Sequence, residues 1–135
     1  MSLDKPRLKN ILVIDDDDDY NFITELVFQD SELDCNLIFK SFAQDALDYL
    51  QNNQDFFPDL ILLDINMPIM NGWEFLDSYE RLNYHKTKDT IIAMNSSSVY
   101  QEDKIKAKTY AKVVGFIDKP ITLENLFQIK EAYFS

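Results

Sequence analysis

Short apolar runs alternate along the chain with segments in which apolar residues recur every three or four positions. The segments between the runs have the periodicity of amphipathic helices. Repeated alternation of strand and helix predicts a parallel sheet with right-handed crossovers and helices on both faces. The runs predict five strands, at Asn10–Ile14, Cys35–Phe39, Leu60–Leu63, Thr90–Met94 and Gly115–Ile117.

Each predicted strand is followed by a predicted helix. The first helix begins within Asp15–Asp19, since acidic residues suit a helix N-terminus. We expect Ser41 to cap the second helix and Thr122 to cap the last. A helix within about Glu102–Tyr110 has a thinner apolar stripe. The residues expected to face inward are Phe22, Ile23, Leu26 and Val27; Ala43, Ala46, Leu47 and Leu50; Phe75, Leu76, Tyr79 and Leu82; and Leu123, Leu126, Ile129 and Tyr133.

Length and charge narrow the range of partners. A chain of 135 residues, of which 46% are hydrophobic, can bury the core of one domain. We expect that domain at residues 10–135 with no second domain, after an N-terminal extension, 1–9, whose first three residues are in part a remnant of recombinant expression.

The net charge of −11 disfavours nucleic acid and anionic membrane surfaces, because phosphate would be repelled. We expect no membrane span and no signal peptide.

The scarcity of cysteine and histidine excludes two kinds of site. The single cysteine, Cys35, cannot form an internal disulfide, which fits a reducing cytosol. The single histidine, His85, cannot build a histidine-based metal site and is expected at the solvated surface. We therefore expect a cytoplasmic protein.

Charged and hydroxyl residues stand at the C-terminal ends of four predicted strands. They are Asp15 and Asp16, Asp64, Ser96 or a neighbour, and Lys119. Open parallel sheets bind ligands at this edge, so we expect these side chains in one crevice. Crowded carboxylates repel one another, and a hard cation such as Mg²⁺ would relieve that repulsion. Lys119 and the hydroxyl would supply positive charge and a donor to a phosphoryl group, so the set suits phosphoryl transfer onto Asp64.

The aspartate run has another possible meaning, a calcium-binding EF-hand loop. Such a loop would begin with Asp15-x-Asp17-x-Asp19. It would also need Gly at its sixth position and Glu at its twelfth, where this chain has Tyr20 and Leu26. The EF-hand interpretation is therefore rejected.

Four motifs together resemble the receiver domain of two-component response regulators. They are ILVIDDD, LILLDINMPIMNGWEF, MNSSS and GFIDKPI, and the resemblance covers about the whole chain. The specific features are Pro and Gly at four and eight residues after Asp64, and the later Lys-Pro pair. The resemblance implies a five-stranded, doubly wound (βα)5 sheet, a flavodoxin-like three-layer α/β sandwich.

The resemblance also implies roles for the acidic residues. Asp64 would accept the phosphoryl group. Asp15, Asp16 and Asp64 would hold Mg²⁺, with a backbone carbonyl from Asn66.

Further roles fall on the end of the fifth strand. Lys119 would pair with the phosphoryl group, and its peptide bond to Pro120 resembles the cis bond of the family, a geometry that costs little only before proline. Phe116, three residues before Lys119, matches the aromatic switch residue of the family, although a plain core role is an open alternative.

The hydroxyl at the end of the fourth strand is the weakest match. The family has Thr or Ser there, and this chain offers Ser96, Ser97 and Ser98 after Asn95. Alternation along the strand and the spacing to Lys119 favour Ser96 as phosphoryl-binding and switch residue, with Ser97 second.

Three functions follow from these observations. The leading one is a receiver that takes a phosphoryl group from a sensor histidine kinase or a histidine phosphotransfer protein and signals to a downstream protein. It would be a monomer or a weak phosphorylation-dependent dimer, and would catalyse only its own phosphorylation and dephosphorylation. An alternative is a phosphohydrolase of the haloacid dehalogenase type that uses Asp15 and Asp17, although the acidic pair expected after Lys119 is missing. A degenerate receiver is disfavoured by the intact Asp64 and Lys119.

Overall fold

Five strands and six helices lie in residues 5–97 and 100–135, the part of the chain that the computed structural model describes. The strands are β1 (Asn10–Ile14), β2 (Asn36–Lys40), β3 (Leu60–Asp64), β4 (Ile91–Ser96) and β5 (Val113–Asp118). The helices are α1 (Asp18–Ser31), α2 (Ala43–Asn52), α3 (Gly72–Arg81), α4 (Tyr84–Thr87), α5 (Gln101–Ala107) and α6 (Leu123–Tyr133), with a 3-10 turn at Gln54–Phe56. None of the helices in these described ranges has the length and hydrophobicity of a membrane span.

The strands form one parallel sheet in the order β2-β1-β3-β4-β5. After β1 the chain moves outward to β2, and after β3 it moves outward to β4 on the other side. The boundary between β1 and β3 is therefore a topological switch point, where the loops diverge and leave a crevice. This is the flavodoxin-like doubly wound sandwich, and the predicted fold class is confirmed.

Alternate residues of the central strands face opposite sides of the sheet. In β1, Ile11 and Val13 join the core under α1 and α6, whereas Leu12 and Ile14 join the core under α2, α3 and α5. Every residue of Leu60–Asp64 is buried, as expected for a strand covered on both faces. The central strands are thus held rigidly from both sides.

The inward face of α1 differs from the predicted one. Three of the four residues expected to face inward are exposed: Phe22, Ile23 and Leu26. The helix instead buries Tyr20, Thr24 and Phe28, which lie one helical turn apart. A hydrophobicity criterion passes over this stripe because two of its three residues carry hydroxyl groups.

The other helices follow the predictions more closely. All the inward residues predicted for α2 are buried, and Thr122 caps α6 by accepting the Asn125 N–H at 3.1 Å. Ser41 does not cap α2, since the helix begins after Phe42, whose side chain makes no capping bond. Among the inward residues predicted for the third and last helices, the exposed ones stand at helix ends: Leu82, Leu123 and Tyr133.

The short helix α4 was not predicted. Tyr84 anchors it in the core, with its ring centroid 5.3 Å from that of Tyr79. His85 lies within α4 and is partly buried, rather than standing in a solvated loop. A four-residue helix is too short to leave a periodic signal in the sequence.

The described residues before β1 pack against the domain. Leu8 is buried in the core under α1 and α6, and the Pro6 carbonyl accepts the Ser135 N–H at 2.9 Å. The division into an extension and a domain stays a prediction.

Candidate functional site

Four strand ends bring polar residues to one edge of the sheet. Asp64 is the last residue of β3 and lies in register with Asn95 of β4. Asp15 follows β1, and Lys119 follows β5 with its backbone N–H bonded to the Ser96 carbonyl at 3.0 Å. Because the strands are parallel, these residues converge at the switch point between β1 and β3.

Three carboxylates form the acidic part of this site. One oxygen each from Asp15, Asp16 and Asp64 lies within 4.8 Å of the others. Asp15 and Asp64 are only 1% and 5% exposed, whereas Asp16 faces solvent. This set of hard oxygen donors, open to solvent on one side, fits a hydrated divalent cation such as Mg²⁺.

Lys119 supplies the opposing charge. Its Nζ lies 2.7 Å from Asp15 Oδ2 and 3.3 Å from Asp64 Oδ1. Burial by itself would lower the pKa of Lys119, but Asp15 and then Asp64 outweigh it and raise that pKa. The ammonium of Lys119 therefore stays charged. The peptide bond between Lys119 and Pro120 is cis.

Asp64 is held in an environment that disfavours its charge. Burial, and then the neighbouring Asp15 carboxylate, raise the pKa of Asp64 to about 6, against the opposing effects of Lys119 and the Asn66 backbone N–H. Burial also raises the pKa of Asp15. One ammonium thus compensates the carboxylates incompletely, and a bound cation would relieve the remaining repulsion.

The loop between β3 and α3 fixes Asp64 from behind. A Cβ atom on Gly72 would lie 2.5 Å from the Asp64 carbonyl oxygen, so only glycine permits this approach. Gly72 N–H also donates to the Ile65 carbonyl at 2.8 Å. Asn71 and Glu74 form a capping box that starts α3 at this point. The first turn of α3 is therefore locked against the strand that presents Asp64.

Two residues near Lys119, Tyr20 and Asn95, are not among the predicted site residues. The Tyr20 ring lies under the ammonium, with Lys119 Nζ 4.7 Å from the ring centroid. Asn95 Nδ2 donates a hydrogen bond to the Tyr20 hydroxyl. The available signal was the spacing of Tyr20, Thr24 and Phe28 along α1, which places Tyr20 on the sheet-facing side of the first turn.

The other predicted residues take different positions around the crevice. Ser96 is buried at the end of β4, and Ser97 is exposed. Ser98 lies outside the described residues. Asn66 is exposed two residues beyond Asp64 in the chain. Phe116 is half-buried, in register with Met94, and packs against the core under α2, α3 and α5; the roles predicted for these residues stay predictions.

The phosphohydrolase alternative is not favoured. It needs Asp17 as a second catalytic carboxylate beside Asp15. Asp17 instead caps α1, where its Oδ1 accepts the Tyr20 N–H at 3.1 Å. Its side chain serves the helix terminus rather than the crevice.

A doubly wound parallel sheet with an acidic cluster and a lysine at its switch point defines the receiver class of signalling domains. The family model of the response regulator receiver domain matches residues 11–131, and the chain belongs to this family. The predicted family is thereby confirmed. Proteins of this family act in signalling, which agrees with the leading prediction at that level. No curated protein matches the sequence.

Solved structures give the same picture. A two-component response regulator from Cytophaga hutchinsonii superimposes with a TM-score of 0.86 at 26% identity, covering 94% of this chain and 97% of that one. A two-component response regulator from Legionella pneumophila gives a TM-score of 0.78 at 25% identity, covering 93% and 97%. The chemotaxis protein CheY4 of Vibrio cholerae, with a TM-score of 0.75 at 24% identity over 94% and 99%, supports the fold.

Proposed function

We propose that the protein is a phosphorylation-dependent switch in which Asp64 accepts a phosphoryl group in a Mg²⁺-dependent reaction. The observation that supports this most is the placement of the buried Asp64 carboxylate. One oxygen each from Asp64, Asp15 and Asp16 lies within 4.8 Å of the others. Asp64 Oδ1 also lies 3.3 Å from Lys119 Nζ. A carboxylate nucleophile, a cation site and a fixed ammonium are the parts that phosphoryl transfer needs.

The proposed reaction makes one bond and breaks one. An Asp64 carboxylate oxygen attacks the phosphorus atom of a phosphohistidine, the new O–P bond forms, and the P–N bond to the imidazole breaks. Lys119 stabilises the negative charge on the equatorial oxygens. Asp15, Asp16, Asp64 and the Asn66 carbonyl would hold Mg²⁺, which supplies further charge neutralisation when bound.

The proposed switch uses the end of β4 and the ring on β5. The Ser96 hydroxyl would bond a phosphoryl oxygen, and its movement would free space for the half-buried Phe116. A phosphoryl group adds negative charge and three strong acceptors, so it favours the state in which these donors point toward it.

The proposed partners are proteins. A sensor histidine kinase or histidine phosphotransfer protein would donate the phosphoryl group, and a downstream protein would read the altered surface. The charge of −11 disfavours nucleic acid and anionic membranes. We place the protein in the cytoplasm, as one receiver domain at residues 10–135 that is a monomer or a weak phosphorylation-dependent dimer and catalyses no reaction beyond its own phosphorylation and dephosphorylation.

The test is incubation of the protein with a small phosphodonor such as acetyl phosphate, followed by intact mass measurement. We expect a gain of one phosphoryl group in the presence of Mg²⁺ and none when a chelator removes it. Labelling that proceeds equally with the chelator, or its absence under both conditions, would refute the proposed function.

A further inference from the structure

We propose that Tyr20 is a positioning residue that holds the Lys119 ammonium in the crevice. The inference rests on the proposed function and extends it to a residue outside the acidic cluster. The face of the Tyr20 ring lies under Lys119 Nζ at 4.7 Å from the centroid. Aromatic faces attract cations electrostatically, most strongly where water is excluded.

Tyr20 is itself held at its backbone and at its hydroxyl. Its backbone N–H donates to the Asp17 carboxylate, which fixes the first turn of α1. Its hydroxyl accepts a hydrogen bond from Asn95 Nδ2, and only 4% of the residue is exposed. A ring fixed by helix, hydrogen bond and packing cannot swing away from the ammonium.

The hydrogen bond between Asn95 and Tyr20 connects Tyr20 to the strand beside Asp64. Asn95 is the residue of β4 in register with Asp64, so the amide that holds Tyr20 extends from the strand position beside the acceptor. The chain of contacts therefore runs from β3 through β4 and α1 to Lys119. This arrangement fixes the ammonium relative to Asp64 through contacts other than the direct ion pair.

Lys119 needs such support because two carboxylates compete for it. Its Nζ is closer to Asp15, at 2.7 Å, than to Asp64, at 3.3 Å. A phosphoryl group on Asp64 requires the ammonium to turn from the carboxylates to the new oxygens. The Tyr20 ring is a fixed surface beside the ammonium. It confines the flexible Lys119 side chain to the crevice during that change. Tyr20 does not touch the reacting atoms in this account.

The first test needs no phosphorylation. In NMR spectra of the full chain, the ring current of Tyr20 should shift the Lys119 ε-protons upfield. Tyr20→Phe keeps the ring and should keep the shift, whereas Tyr20→Leu should lose it. Tyr79→Leu is the matched control and should keep the shift, because Tyr79 is also a buried tyrosine but belongs to the core under α2, α3 and α5. An unshifted Lys119 in the wild type, or an unchanged shift in Tyr20→Leu, would overturn the proposal.

The second test separates positioning from general stability. With acetyl phosphate and Mg²⁺, Tyr20→Leu should slow labelling about tenfold, since small misplacements of a charged group are costly. In a Lys119→Ala background the same substitution should change the rate little, because its effect passes through Lys119. Equal losses in both backgrounds would mean a structural role only.

Two outcomes are kept apart by this design. If Tyr20→Leu does not fold, Tyr20→Met replaces it in both measurements. A wild-type protein that is never labelled would refute the proposed function, while the NMR shift would still decide whether Tyr20 positions Lys119.

Discussion

At the scale of single residues, the site balances burial against charge. Asp64 and Asp15 are almost fully buried, yet they share a single ammonium. Burial and then Asp15 raise the pKa of Asp64 to about 6, which means that folding favours the protonated form of Asp64 relative to the unfolded chain. The charged carboxylate that a nucleophile must present is therefore costly to the metal-free fold.

This cost predicts a pH-dependent stability in the presence of a chelator. Because the pKa of Asp64 is higher in the folded protein than in the unfolded chain, its contribution favours folding at low pH. That contribution should be lost as pH rises from about 4 to about 6, by about 2 kcal/mol. Urea unfolding across this range measures it. Asp64→Asn should remove this part of the pH dependence, and Asp118→Asn, at the exposed end of β5, should retain it; equal profiles for the two variants would contradict the prediction.

At the scale of elements, the strands were predicted from the sequence more fully than the helices. A strand buried on both faces, such as Leu60–Asp64, must be apolar throughout, so its run and the aspartate that ends it are visible in the sequence. The position of Asp15 after β1 follows in the same way. Which residues meet across the crevice depends on the order and register of the strands. The pairing of Asp64 with Asn95 therefore could not be predicted from the sequence.

The helices were harder to predict because their faces are set by packing. The stripe of α1 that meets the sheet includes Tyr20, whose hydroxyl accepts a hydrogen bond from Asn95 of a distant strand. Such a long-range partner cannot be recognised from local periodicity. The same three-dimensional contact makes Tyr20 part of the site.

A second link between elements joins α3 to the segment after α5. Trp73 follows Gly72 in the first turn of α3, and its ring stacks on Tyr110 with 5.9 Å between centroids. The Tyr110 hydroxyl donates to Asp77 Oδ1 at 2.7 Å. A change at the Asp64 loop would therefore also reach the segment after α5, and Trp73 fluorescence is a suitable reporter.

Phosphorylation should alter the segment from β4 to α5. Binding of the phosphoryl mimic beryllofluoride should change amide hydrogen exchange in residues 96–110 and around Phe116, because in the proposed switch Ser96 turns toward the mimic. Ser96→Ala should reduce this change without preventing binding. Ser97→Ala, at the exposed neighbouring position, should behave as wild type. Exchange that is identical with and without the mimic on an occupied Asp64 would exclude a switch through residues 96–110 and Phe116.

At the scale of the whole molecule, the net charge and the proposed metal site lead to a prediction about stability. The chain carries a net charge of −11, and three of its carboxylates are crowded at one edge of the sheet. A cation that binds only the folded state stabilises it by mass action. The proposed Mg²⁺ site should therefore be detectable in unfolding experiments on the intact domain.

Mg²⁺ at about one hundred times its Kd should raise the free energy of unfolding by about 2.7 kcal/mol. Urea unfolding with Mg²⁺ and with a chelator, at equal ionic strength, measures this gain. Asp16→Ala should lose most of the gain at the same Mg²⁺ concentration, whereas Asp19→Ala, outside the cluster, should keep it. A gain of equal size in both variants would place the metal elsewhere.

The central claim, that Asp64 is the phosphoryl acceptor, is tested most directly by the intact mass of Asp64→Asn after incubation with acetyl phosphate and Mg²⁺. The exposed Asp118→Asn serves as the matched control, one residue before Lys119. We predict that the wild type and Asp118→Asn each gain one phosphoryl group, whereas the folded Asp64→Asn gains none. Labelling of Asp64→Asn to the wild-type extent would contradict the account and direct attention to Asp15.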